Sequence, residues 1–198
     1  MSTFDTRAKN WDKGDIRVNG AKVIANAIEQ QINLKDDMKI IDFGVGTGLL
    51  GFEIAKKVKQ VYGVDTSAGM LEKLKEKNTP KLNIIPLQQD IIKEPLSETF
   101  DGLVSSMTLH HVENLEAFFT TIYGNIKQDG FIAIADLEDE DGTFHSDNTG
   151  VHHFGFKENE LRLIVEKSGF KDVQIQNINT IKKPHKDFGV FLLTAIKK

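Results

Sequence analysis

Cysteine is absent from the 198 residues. That excludes disulfides, cysteine nucleophiles and thiolate metal sites, but does not fix the compartment. An excess of positive charge is also missing: 25 Lys and Arg stand against 29 Asp and Glu, a net charge of −4. General nucleic-acid binders are usually basic, so no nucleic-acid partner is expected. No apolar run approaches the roughly 18 residues that would span a bilayer, and no membrane association is expected. The start, "MSTFDTRAKNWDKGD", lacks the apolar centre of a secretory signal, which makes a cytoplasmic protein the default. Neither an internal repeat nor a low-complexity linker interrupts the chain. Residues 1–198 are therefore read as one domain, long enough for a substantial core.

What is present is an alternation. Val23, Ile24, Ala27, Ile28 and Ile32 share one helical face. "MKIIDF" (38–43) is a short apolar strand running into glycines, and a helix is expected from about Gly48 to Lys59. "VYGVD" (61–65) is a second strand, followed by a helix with Ser67 as its N-cap and Met70, Leu71 and Leu74 inside. "LNIIPL" (82–87) and "FDGLVSSM" (100–107) are further strands. Leu115, Phe118, Phe119, Ile122 and Ile126 form a helical stripe, and "GFIAIADL" (130–137) is a fifth strand. A polar segment follows, then a helix marked by Leu161, Ile164 and Val165, then strands at about 171–181 and 188–197.

Strands alternating with single helices imply βαβ units and a parallel sheet with helices on both faces. The last connection, "KKPHKDFG", is too short for a crossover helix, so the final two strands should be antiparallel. Pro86 cannot donate to a central ladder, which puts the third strand at a sheet edge.

The stretch "KIIDFGVGTGLLG" (39–51) carries the chemistry. Counted from Gly46 it fits the G-x-G-x-x-G dinucleotide fingerprint; counted from Gly44 it reads D-x-G-x-G-x-G, with Asp42 ahead of the glycines. Either reading wants an acid after the next strand for ribose hydroxyls, and Asp65 provides it. Charge separates them. A dinucleotide would set its pyrophosphate against the glycine turn and helix N-terminus. Asp42 points a carboxylate at the same crevice, at a cost of roughly 4 kcal/mol per like-charge pair at about 4 Å and a dielectric near 20. No Lys or Arg between Ile40 and Ile54 offsets it. The same carboxylate attracts an ammonium and a sulfonium, and S-adenosylmethionine carries both without phosphate. In "LQQDI", Asp90 can accept from an adenine amino group while Ile91 packs on the ring.

With these pieces in order, the sequence resembles the class I S-adenosylmethionine-dependent methyltransferases, and among them the small-molecule type that includes ubiquinone/menaquinone-biosynthesis enzymes. The matching segments are "IIDFGVGTG", "VYGVDTSAGML", "LQQDI", "FDGLVSSMTLHHV", "IKQDGFIAIAD" and "GFKENELRLIVEKSGF". The resemblance implies an α/β doubly wound, Rossmann-like sheet of seven strands in the order 3-2-1-4-5-7-6, strand 7 antiparallel, with helices on both faces. It implies S-adenosylmethionine as cofactor and S-adenosylhomocysteine as product. By position, Asp42, Gly44, Gly46 and Gly48 would surround the methionine part, Asp65 the ribose, and Thr66 and Met70 the adenosine. Asp90 and Ile91 would hold the adenine, with Ser106 and Met107 lining the methyl-donor crevice. "FDTRAKNWD" resembles the lead-in of this group, so residues 1–20 are a candidate lid with Trp11 in it, and 138–156 a substrate-side loop.

The expected reaction is methyl transfer to a small-molecule acceptor whose atom (O, N or C) is undetermined. The alternatives are a non-catalytic cofactor-binding module, a protein acceptor and, further off, an NAD(P)-dependent oxidoreductase. The oligomeric state is not legible. His110 and His111 follow the fourth strand; adjacent side chains diverge, so one should face the pocket (His110) and the other satisfy a backbone group. His152 and His153 border the acceptor side, and His110 and His153 are the candidate general bases. His145, His152, His153 and "DLEDED" fit no zinc template, and no metal is expected. Lys157 occupies the N-cap position three residues before Glu160, which breaks a capping box and leaves that helix start prone to fray.

Overall fold

The computed structural model describes residues 3–82 and 84–198. Met1 and Ser2 of the expected lid and Asn83 of the expected third strand lie outside the described residues. Among the described residues there are six α-helices and seven strands: α1 (Thr3–Arg7), α2 (Asp15–Gln31), β1 (Lys39–Phe43), α3 (Leu49–Ile54), β2 (Gln60–Asp65), α4 (Ala68–Lys77) and β3 (Ile84–Gln88) come first. Then follow β4 (Phe100–Ser106), α5 (Leu115–Asn125), β5 (Ile126–Leu137), α6 (Glu158–Lys167), β6 (Lys171–Lys182) and β7 (Asp187–Ile196).

The strands form one sheet of order β3-β2-β1-β4-β5-β7-β6. β7 runs antiparallel to both of its neighbours, and the other pairings are parallel. Fold class and strand order are as expected. Pro86 sits on the edge strand β3, opposite Gly63, and its missing N–H costs no ladder bond on the open side.

Pleating separates two cores. Ile40, Val61, Val104, Ala133 and Leu192 face Ile24, Ile28, Leu71 and Leu74 of α2 and α4. Ile41, Val64, Leu103, Ile132 and Leu193 face Phe118, Phe119, Ile122, Leu161 and Val165 of α5 and α6. Each neighbouring pair, such as Ile40/Ile41 or Leu103/Val104, splits between the faces, so the middle of each central strand is apolar on both sides.

Three local expectations are corrected. Val23 lies on the solvent side of α2, 37% exposed, because the buried face is carried by Ala21, Ile24, Ala25 and Ile28. Ile126 caps α5 and opens β5 instead of extending the helical stripe. α3 stops at Ile54, five residues short, because Lys59 and Gln60 N–H both bond the Met38 carbonyl and draw the chain into β2. Ser67 does cap α4, accepting from Met70 N–H at 3.2 Å, whereas Lys157 gives α6 no side-chain cap. Among the described residues no helix is long and apolar enough to cross a membrane.

Candidate functional site

β1, β2 and β4 end at one rim of the sheet, and a cavity of about 1070 Å³ opens there. Switch-point crevices of open α/β sheets are built this way. The turn after β1 uses glycine where it must: Gly44, Gly46 and Gly48 have φ of 68°, 53° and 88°. A Cβ on Gly44 would lie 2.2 Å from Thr108 Cγ2, so the turn presses directly on the segment after β4.

Two carboxylates define the first half of the cavity. Asp42 is 1% exposed and its Oδ2 has no hydrogen-bond partner. Burial pushes its pKa well above the usual 3.8 and the nearby Asp65 charge adds to this, with only the Gly51 N–H opposing. Gly51 is what makes room for that oxygen, since a Cβ there would lie 2.7 Å from it. Asp65 accepts Gly46 N–H on Oδ2 and Ser67 N–H on Oδ1, each at 2.8 Å, tying the glycine turn to the end of β2. Burial raises its pKa; the amides of Ser67, Gly46 and Thr66 hold the rise back. Thr66, Met70, Asp90, Ser106 and Met107 also line the cavity. Burial works to raise the Asp90 pKa, but Lys93, paired at 2.8 Å, and the amides of Ile92 and Lys93 bring it below 3.8. Met107 holds a left-handed φ of 55° at the end of β4, a strained backbone at the cavity wall.

The N-terminal segment packs over this half. Asp5 accepts from Ser67 Oγ at 2.6 Å and from Gly69 N–H at 3.0 Å. Asp12 accepts from Thr47 Oγ1 at 2.5 Å and pairs with Lys77 at 2.6 Å. Phe4 and Trp11 line the cavity with rings 6.0 Å apart, and the Arg17 guanidinium stands 4.3 Å over Trp11.

The second half is built of imidazoles. His110 is 1% exposed; its Nδ1 lies 2.7 Å from Asp136 Oδ1 and its Nε2 is buried without a partner. His111 lines the same cavity while its Nδ1 meets the Gly150 carbonyl at 2.7 Å, so both neighbours contribute to the wall instead of one. Burial, then the adjacent His110, lowers the His111 pKa. His145 reaches in from the loop after β5, its ring 4.9 Å from that of His110. Burial, with His110, His111 and Lys183 nearby, brings its pKa to about 4.

Three expected site residues stand elsewhere. His153 is not on the cavity wall: its Nε2 is 2.9 Å from the Val112 carbonyl and its ring lies against Phe156. The reason is local. His152 and His153 N–H both bond the His110 carbonyl, and the alternate direction turns His152 to the cavity. Ile91 is core, 1% exposed, because the turn at Asp90 points it inward; Ile92 takes the cavity position. Gly48 sits just behind the wall as the N-cap of α3. Three acids of the 136–141 run are engaged within the protein: Glu138 accepts from Asn177, Glu140 caps the amides of Gly142 and Thr143, and Asp141 pairs with Lys186. Among the described residues no group of three or more His, Asp or Glu is arranged to hold a metal ion.

Sequence reasoning gave no role to Asp5, Thr108 and Asp136, which reach the site across long stretches of chain; Phe4 and Asp12 fell within the expected lead-in, of which only Trp11 was named as a site residue. It weighed His145 only as a metal ligand.

Residues 41–134 match the family model described as a methyltransferase domain. An uncharacterized methyltransferase of Schizosaccharomyces pombe is 31% identical over 167 residues, covering 75% of this chain and 57% of that protein. One from Anoxybacillus flavithermus is 34% identical over 99 residues, 49% of this chain and 43% of the relative. The chain thus spans about half the length of such curated relatives. Among solved structures, the DhpI–SAH complex superposes with a TM-score of 0.77 at 18% identity, over 97% of this chain and 92% of that one. A Haemonchus contortus phosphoethanolamine N-methyltransferase bound to S-adenosyl-L-methionine gives 0.72 at 17% identity, over 100% of this chain and 60% of that one. Residues 41–134 thus match a methyltransferase domain, and the chain as a whole shares the fold of solved methyltransferases.

Proposed function

We propose that the protein transfers a methyl group from S-adenosylmethionine to a small-molecule acceptor. The observation that carries this reading is Asp42 Oδ2, buried and unpartnered beside the glycine turn. An orphaned carboxylate oxygen of this kind is costly unless a ligand brings a cation or a donor to it. The methionine ammonium does so, and a pyrophosphate would make the site worse.

In this reading Asp42, Gly44 and Gly46 surround the methionine part, and Gly48 shapes the turn behind them. Asp65 keeps acceptor capacity for ribose hydroxyls beyond its two backbone bonds. Thr66 and Met70 flank the adenosine, Asp90 accepts from the adenine amino group, and Ile92 replaces Ile91 beside the ring. Ser106 and Met107 border the methyl group. Trp11 and Phe4 cover the cofactor as part of a lid in residues 1–20, and 138–156 forms the acceptor wall, all within one domain.

The cavity of about 1070 Å³ supports a small acceptor. Ligand pockets run to about 300–1,000 Å³, so cofactor and a second small molecule fit together. When bound, the donor supplies a methyl already activated by the sulfonium charge. The chain's own work is to hold the acceptor at roughly 3–3.5 Å in line and to exclude water. His110 is the group available to take a proton.

Isothermal titration with S-adenosylmethionine and S-adenosylhomocysteine tests the reading. Absence of binding up to about 1 mM, an affinity weaker than about 4 kcal/mol, sinks it. Methyl transfer from labelled donor, silent in Asp65→Ala, separates an enzyme from a module that only binds.

A further inference from the structure

Two buried imidazole nitrogens, His110 Nε2 and His145 Nε2, have no hydrogen-bond partner, and both side chains line the same cavity. A buried polar atom without a partner calls for an explanation, and a catalytic role is one. Asp136 decides what His110 offers. Asp136 is 0% exposed and already accepts on both oxygens: Leu137 N–H on Oδ1 at 2.7 Å and His110 N–H on Oδ2 at 3.2 Å. His110 Nδ1, 2.7 Å from Oδ1, is therefore the donor of that contact. The neutral ring then carries its proton on Nδ1 and turns a bare Nε2 lone pair into the cavity. Two further bonds, from His152 and His153 N–H to the His110 carbonyl, hold the backbone of the same residue.

We propose that His110 takes the proton of a weakly acidic hydroxyl on the methyl acceptor, with Asp136 as its positioning residue, so that the product is a methyl ether. This rests on the methyl-transfer reading above. The acceptor oxygen forms a bond to the methyl carbon while the carbon–sulfur bond breaks and its electron pair returns to sulfur. The hydroxyl proton moves to His110 Nε2, and the imidazolium gives it to solvent after the ether leaves. A phenol-like hydroxyl has a pKa near 10, so it enters neutral and loses its proton only as the new bond forms.

The surroundings favour a hydroxyl over an amine. An amine of pKa near 10 enters as a cation. The half-buried cation facing the imidazoles is Lys183, 4.0 Å over the Phe144 ring. Among the described residues Lys183 has no ion pair within 4.0 Å; burial lowers its pKa from the usual 10.5, the Glu140 charge opposes that and Arg17 adds to it. Arg17 adds a second positive charge at the same wall, exposed and therefore screened by solvent. The carboxylates Asp15, Glu113 and Asp147 are exposed there and screened by solvent. The titratable groups facing His110 are Asp136, His111, His145 and His152, with Lys183 beyond His145. With their lowered pKa values, His111 and His145 stay neutral near pH 7.

Full-length protein labelled with ¹⁵N-histidine and saturated with S-adenosylhomocysteine tests this. Two-bond ¹⁵N–¹H correlation spectra should show His110 protonated on Nδ1 and bare on Nε2 at neutral pH. Phenol should move the Nε2 signal and benzylamine should not. Asp136→Asn should mix the two tautomers, with Asp136→Glu restoring the original one. In turnover, His110→Gln should lose roughly 100- to 10,000-fold in kcat, the range general bases contribute. A proton on Nε2, a shift with benzylamine and none with phenol, or no shift with either overturns the assignment. Failure of S-adenosylhomocysteine to bind instead removes the methyl-transfer reading, and the tautomer stays readable in the free protein.

Discussion

The two halves of the cavity are built in opposite ways. The half proposed to hold the cofactor is local: Asp42, the glycine turn and Asp65 come from two adjacent parallel strands, and Asp65 bonds the amides of Gly46 and Ser67 at 2.8 Å. The half proposed to take the acceptor is assembled at long range, with His110 after β4, Asp136 at the end of β5, His145 in the following loop and Lys183 after β6. The first half is held by backbone geometry, which tolerates little. The second is held by side chains on loops, which can change chemistry without disturbing the sheet. Substitutions should therefore separate the halves by kind as well as by size.

The largest effect is expected at Asp65. Asp65→Ala removes the clasp on Gly46 and the acceptors offered to ribose; at roughly 1.5–3 kcal/mol per charged hydrogen bond, cofactor affinity should fall by about 100-fold or more. Calorimetry with S-adenosylhomocysteine measures it. A loss below about 10-fold would show that the local half is not anchored where the hydrogen bonds place it.

Next comes packing behind the turn. In Gly51→Ala the added Cβ would stand 2.7 Å from Asp42 Oδ2 and 2.9 Å from Ile84 Cδ1. Helix propensity gains about 1 kcal/mol, but overpacking of this kind costs about 1–3 kcal/mol, so the net should be destabilising. Gly150→Ala, on the acceptor loop, meets no atom within 4 Å and carries only the strain of its φ of 76°. If thermal melts ranked Gly150→Ala as the worse of the two, the contrast between halves would fail.

The third effect is one of pH. The Asp42 pKa is raised above its unfolded value of 3.8, so the folded state holds this proton more tightly than the unfolded one. Stability from this group is full below the unfolded value and is lost as pH rises from about 4 toward the folded value. Asp42→Asn should flatten that loss. A ligand ammonium beside the ionised carboxylate offsets it, so the melting-temperature gain from S-adenosylmethionine should grow with pH in the wild type and less so in Asp42→Asn. Equal growth in both would move the cation away from Asp42.

The same contrast explains what was legible in the sequence. The edge position of Pro86, the β6–β7 hairpin and the Asp42–Gly44–Gly46–Asp65 set follow from periodicity and turn chemistry within short windows, whereas the full strand order was implied by the family resemblance. Ile91 and His153 were each misplaced by one residue, because facing in irregular backbone alternates and no period fixes its phase. Asp136 read as the polar end of an apolar strand; its partner His110 is 26 residues earlier, and nothing local announces the pair. Asp5 and Asp12 reach Ser67 and Lys77 across 62 and 65 residues. Contacts of that separation are set by the closed fold, after the local signals have been spent.

The smallest expected effect tests the comparison at its helix starts. α4, in the cofactor half, is capped by Ser67 at 3.2 Å from Met70 N–H, while α6, which follows the acceptor loop, begins at Lys157 with no side-chain cap. Lys157 already has the extended backbone of a cap residue, φ −78° and ψ 128°, and Glu160 stands three residues on. A serine there meets a ready geometry and completes the capping box. Lys157→Ser also removes a cation from the positive end of the helix dipole and sacrifices only an exposed Lys157–Glu160 pair of 3.4 Å, which contributes little. The gain should be about 1 kcal/mol, or roughly 2–4 °C in Tm for a chain of this size. Ser67→Ala should cost a similar amount and also weaken cofactor binding, since Ser67 Oγ donates to Asp5 over the cavity. If Lys157→Ser stabilises the protein and slows turnover, a loose α6 start belongs to the working of the acceptor loop. If it stabilises and turnover is unchanged, the missing cap is a tolerated defect, and the acceptor half is held by His110, Asp136 and their neighbours alone.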